Sequence, residues 1–168
     1  MIRRGLIPGA LLALLPTISH AGLMVMIEGI PGPHKVAPYS GWFIAEAMSW
    51  NHDRSNAARP FGFTVVMAQS GIGFAGIAQA SFSSSILKRI IIDRTQTVSA
   101  DTIMVTTRLT CDDAQLRSIA TSGTSGELPR IQLDIGCGKF SWENFDVDKN
   151  GVVFSAGKGS WNLKTNTP

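Results

Sequence analysis

The chain of 168 residues is poor in the side chains that mark metal proteins, nucleic-acid binders and most enzymes. It has two cysteines, three histidines and one tyrosine, and only 16% of its residues are charged. Two cysteines without a companion histidine pair do not make a zinc set, which takes four ligands at close spacing. No cluster of arginine and lysine interleaved with aromatics occurs, so nucleic acid is excluded as a partner. Unbroken apolar runs stop well short of the ~20 residues needed to cross a bilayer, which argues against a stable membrane anchor. Internal repeats and heptads are lacking as well. What remains is an apolar fraction of 44%, enough for a core, in a length that suits one domain.

The first 21 residues read as a secretory signal peptide. Arg3 and Arg4 precede the apolar run Leu6 to Leu15, and Ser19-His20-Ala21 offers small residues at both positions that determine cleavage. A start near Met24 is the competing reading. Removal of the leader lowers the formal charge from +3 to +1 and leaves residues 22–168 as the exported domain, secreted or periplasmic. An oxidising compartment would allow a disulfide between Cys111 and Cys137, worth roughly 3 to 4 kcal/mol on the chain-entropy argument. In a reducing cytosol the same pair would be two buried thiols.

Period-two alternation dominates the pattern. Ile103, Val105, Thr107 and Leu109 form one face of a strand, and Ile131, Leu133 and Ile135 one face of another. Further strand-like runs are Leu23 to Ile30, Trp42 to Trp50, Phe61 to Ala68, Ile86 to Asp93, and Val152 to Ala156 followed by Ser160 to Leu163. Asn150-Gly151 predicts a two-residue type I′ hairpin, with Phe145 and Val147 facing inward. The single predicted helix starts at Asp112, with Gln115 completing a capping box, Leu116, Ile119 and Ala120 as its apolar stripe, and Gly123 as its stop. Trp42 and Trp50 are an even number apart and are expected to share a core face with Ile44 and Met48. The fold class is mainly β: a small β-barrel of two packed antiparallel sheets with one short α-helix.

Three local patterns suggest chemistry. The stretch from Pro60 to Leu87 has no charged side chain and reads as a buried hairpin or a contact between subunits. Within it, Gly71, Gly73 and Gly76, with Asp93 beyond, spell a dinucleotide fingerprint, but the serine-rich sequel and the antiparallel context refuse it. Asp146, Asp148 and Asn150 match the first half of a calcium loop, while its twelfth position is Gly157 instead of glutamate. His34 and His52, the histidines beyond the leader, sit in no triad motif, so the chain is expected not to be an enzyme and to carry no cofactor.

Ile27-Glu28-Gly29-Ile30-Pro31-Gly32, the strand from Gly41-Trp42-Phe43-Ile44 to Ser49-Trp50, and the closing Val152-Val153-Phe154-Ser155-Ala156-Gly157-Lys158-Gly159-Ser160-Trp161 together resemble the Hcp family. These are the haemolysin-coregulated tube proteins of bacterial type VI secretion. The resemblance implies a barrel that forms hexameric rings stacking into a tube, with effector or spike proteins as partners. It also implies that Asn51, His52, Asp53, Arg54, Ser55 and Asn56 lie in a loop reaching toward the next ring. The leader departs from that family, whose members leave through the secretion machine without one. A ring-forming secreted structural protein is the first expectation, and a monomeric extracytoplasmic β-barrel that binds a ligand is the alternative.

Overall fold

The computed structural model describes residues 22–52, 61–99 and 102–168. The elements in chain order are β1 (Gly22–Ile27), β2 (Phe43–His52), β3 (Phe61–Ala68), α1 (Gly71–Phe82), β4 (Ile86–Ser99), β5 (Thr102–Ser122), β6 (Arg130–Gly136), β7 (Lys139–Val147) and β8 (Val153–Asn162). All pairings between strands are antiparallel. The order β4-β1-β2-β3-β6-β5 closes on itself through β4–β5 into a ring of six strands, and β7 and β8 extend from β5.

Alternation fills the barrel. Phe61, Phe63, Val65 and Met67 of β3 are buried, and the last three pair with Ile135, Leu133 and Ile131 of β6. Val25 and Ile27 of β1, Ile90 and Ile92 of β4, Phe43 of β2 and Leu116 of β5 join them in the core. Side chains buried this fully contribute about 1.5–3 kcal/mol each relative to exposure.

The helix is not where the spacing after Asp112 places it. That segment is the second half of β5, paired with β4 as far as Gln115 and with β6 from Gln115 to Ser122. Two flanking strands outweigh local helix preference, and the Asp112 carboxylate accepts a hydrogen bond from Arg89 Nε at 2.6 Å instead of capping a turn. The helix is α1, in the uncharged stretch read as a hairpin. Ser70 Oγ accepts from Ile72 N, Ala75, Ala78 and Ala80 favour helix, and Ile77 and Ala80 are buried. Gly73, at φ +83, lies against the Phe43 ring and the Pro31 carbonyl, where no Cβ fits.

Bulges account for another departure. In β2 the register slips between Ala45 and Ala47, so Met48 and Trp50 come to the same side as Phe43 and Ala45. Trp42 and Ile44 are left on the opposite face from Trp50, and Ile44 is exposed. Met48 packs against the core, whereas Trp50 is 63% exposed and only tilts over Phe61.

Candidate assembly surface and its supports

Beyond the barrel, the β7–β8 hairpin carries one paired and one open edge. β8 pairs with β7 from Val153 to Asn162, and apart from the bridge between Asn162 and Thr167 its other edge meets no strand among the described residues. An unpaired row of backbone donors and acceptors is a template for another chain. The hairpin end adds apolar surface: Val152, Val153 and Phe154 are 60%, 49% and 46% exposed.

The hairpin is built from its turn outward. Gly151 N donates to Asp148 O at 3.0 Å, Asp148 N donates to Val152 O at 3.0 Å, and Gly151 has φ +81. This is a type I turn followed by a G1 bulge, a three-residue loop in place of the expected type I′ turn, since Asn150 keeps negative φ. Asp148 Oδ1 accepts from Asn150 N and Val152 N, both at 2.8 Å, and these two bonds hold its pKa below the usual carboxylate range. Phe145 and Val147 alternate with Phe140 and Trp142 and so lie on the other face of β7, where both are half-buried while Asp146 is exposed.

Two supports run from the barrel into the hairpin, one on each face. On the core side, Phe140 stacks on Phe61 at 4.3 Å and on Trp142 at 5.4 Å, and the Trp142 ring covers Gly159, leaving no room for a Cβ. On the other face, cross-strand neighbours alternate in charge: Asp93 of β4 opposes Arg108 of β5, Arg108 opposes Glu143 of β7, and Glu143 opposes Lys158 of β8. Opposite charges on neighbouring strands support the pairing.

Asp93 anchors that row. Its carboxylate is fully buried, yet it takes Arg108 Nε and Nη2 at 2.7 Å each and the Tyr39 hydroxyl at 3.2 Å. Bidentate arginine–carboxylate pairing of this kind is among the stronger hydrogen-bonding arrangements and fixes the geometry of both groups. The bond to Asp93 raises the Arg108 pKa, and burial, then the Asp93 charge, pushes the Tyr39 hydroxyl far above its usual range. Tyr39 thereby pins the loop between β1 and β2 to the sheet. Next to this network lies a shallow cleft of about 380 Å³ lined by Arg108, Ser141, Trp142, Glu143, Lys158 and Ser160, among others.

The fold superposes on solved structures over most of the chain. One, a type six secretion system protein, matches with a TM-score of 0.74 at 15% identity over 88% of this chain and 99% of that one. Hcp1 from Salmonella typhimurium matches with a TM-score of 0.71 at 12% identity, covering 87% and 96%. The fold is that of the Hcp proteins. The secreted protein Hcp3 from Pseudomonas aeruginosa shares it with a TM-score of 0.61 at 10% identity, covering 86% and 99%. No family model and no curated protein sequence matches the chain.

Within this Hcp fold the residues singled out by sequence fall in different places. Asn51 and His52 end β2 and are exposed, while Asp53, Arg54, Ser55 and Asn56 lie outside the described residues, as does the leader 1–21. Asp148 and Asn150 stand at the hairpin turn, while Asp146 is in β7, paired with Phe154, and its Oδ1 accepts from Val147 N. Among the described residues no group of three or more His, Cys, Asp or Glu side chains gathers as a metal site. Cys111 and Cys137 form a disulfide with Cα atoms 5.3 Å apart. The glycines of the apparent fingerprint stand in α1, and Asp93 is held by Arg108 and Tyr39. The network of Asp93, Arg108 and Tyr39 went unread in the sequence, although a carboxylate directly after Ile90-Ile91-Ile92 was its signal.

Proposed function

We propose that the chain is an exported structural protein built on the Hcp fold, whose copies associate into a closed, hexameric ring. Rings of this kind would stack or escort a secreted effector or spike partner, without chemistry of their own. The observation that carries this reading is the unpaired β8 edge ending in exposed Val152, Val153 and Phe154, on a fold shared with type VI secretion proteins. Head-to-tail contacts whose rotation closes produce a ring. Export rests on the leader in residues 1–21 and would place the protein in the periplasm or outside the cell.

The experiment is static light scattering on the oxidised, mature protein together with Phe154→Asp. A species of about six protomers that falls to single copies in Phe154→Asp with an unchanged Tm supports the reading. A single copy at high concentration contradicts it, and a ring that survives the substitution removes β8 from the contact. The second reading, a monomeric binding module, draws on the cleft beside Arg108 and Trp142. A strict monomer whose Trp142 fluorescence responds to a small ligand would favour it.

A further inference from the structure

The β7–β8 hairpin is joined to the barrel along one strand pairing, β5–β7, and the disulfide sits at the root of that pairing. Thr107 to Asp112 of β5 pair with β7, and from Gln115 the same edge of β5 turns to β6. Between these stretches the chain leaves β6 through Gly136-Cys137-Gly138 and starts β7 at Lys139. Cys137 is bonded to Cys111 there. Gly138 N donates to Asp112 O at 3.0 Å and Asp113 O at 3.2 Å, and Gly138 O accepts from Leu163 N at 3.0 Å. Lys164 Nζ reaches the Asp113 carboxylate at 2.8 Å. The end of β8, the start of β7 and the partner switch of β5 therefore meet at the disulfide. The six strand pairings that close the barrel include none made by β7 or β8.

We propose that Cys111–Cys137 is a redox-controlled clamp that holds the β7–β8 hairpin on the barrel when oxidised and lets it open locally when reduced. Its effect on assembly rests on the reading of β8 as the contact between copies, whereas the clamp itself does not. The hairpin as a unit is attached along one strand pairing, β5–β7, whereas the barrel strands β1, β2, β3, β4 and β6 are each held on both edges within the ring, and sub-global units of this kind open before the global fold does. The reductant is a dithiol. One of its thiolates attacks Cys137 Sγ, the half-buried member of the pair, and expels Cys111 as a thiolate; its second thiol then attacks the mixed disulfide and releases Cys137. One S–S bond is broken in the protein and one is made in the reductant. Two electrons pass to the protein, and the two protons of the dithiol end on the two cysteines. Cys111 Sγ lies 3.7 Å from Gly136 O, which can accept from the new S–H inside a barrel that remains closed.

Hydrogen exchange read by mass spectrometry tests this on the oxidised protein, on the same protein with dithiothreitol, and on Cys111→Ala/Cys137→Ser. Each is repeated with Phe154→Asp, so that contacts between copies do not contribute. On reduction, protection of peptides from 139–162 should fall about tenfold or more further than that of β1, β3 and β6, whose smaller loss reports the global destabilisation. The double cysteine variant should show the reduced pattern with or without dithiothreitol, and reoxidation of the native sequence should restore protection. No change in 139–162, or an equal loss of protection in β1 and β3, overturns the clamp. A monomeric mass for the oxidised protein overturns only the ring.

Discussion

Asp93 is the one buried charged side chain among the described residues, and a fully buried carboxylate forfeits its hydration and must recover it from Arg108 and Tyr39. The pair is asymmetric: the Arg108 side chain is 40% exposed, and Asp93 has no exposure at all. Removing the arginine strands a buried charge, whereas neutralising the acid leaves an arginine that can turn to water. Arg108→Ala should therefore cost about 3–5 kcal/mol and Asp93→Asn about 1–3 kcal/mol in denaturant unfolding; the reverse order would refute the asymmetry. Tyr39 adds a pH dependence. Its folded pKa lies above the unfolded value of about 10, so stability is complete below pH ~10 and declines as pH rises toward the folded value. Tyr39→Phe should flatten that alkaline decline, which thermal melts between pH 8 and 11 would record. Single residues of this kind were half legible. An aspartate after three isoleucines signals something unusual, but its partners sit 15 and 54 positions away in sequence and only register brings them together.

At the scale of elements, the hairpin depends on one close approach. Gly159 has the Trp142 ring where a side chain would begin, so Gly159→Val should push the ring aside and destabilise by about 1–3 kcal/mol. The same change should enhance Trp142 fluorescence quenching by water-borne iodide, and an unaltered quenching constant would show that the ring does not rest there. Asp148 holds the turn more strongly while ionised. Because its folded pKa is depressed, that contribution holds above the unfolded value and is lost as pH falls through the folded one. A titration of the Asp148 carboxyl followed by NMR should find it below ~3.9. Strands were legible because inward residues recur every second position in β3 and β6. The helix was not, since Asp112, Gln115 and Leu116 mimic a capped start while tertiary pairing decides otherwise, and α1 hides in glycine and alanine. The β2 bulge likewise breaks the parity on which the tryptophan reading depended, and a bulge leaves no mark in period-two counting.

Over the whole molecule, a closed six-stranded barrel satisfies its own backbone and leaves two features outside that economy: the open edge of β8 and the disulfide at the hairpin root. The core tolerates little change. Leu133→Ala, at the centre of β6, should lose about 2–5 kcal/mol in reversible unfolding, and a near-zero loss would mean that the barrel is not packed around it. Breaking the Cys111–Cys137 link should cost roughly 3–4 kcal/mol because it frees the intervening loop in the unfolded chain. The barrel class could be read from strand count and spacing, but the open edge could not, because which strand ends a sheet is a property of topology and not of local pattern. The most direct measurement is the mass in solution of oxidised, mature protein by light scattering at rising concentration. The account predicts one species of about six protomers that Phe154→Asp reduces to one, and a single copy at every concentration would contradict it.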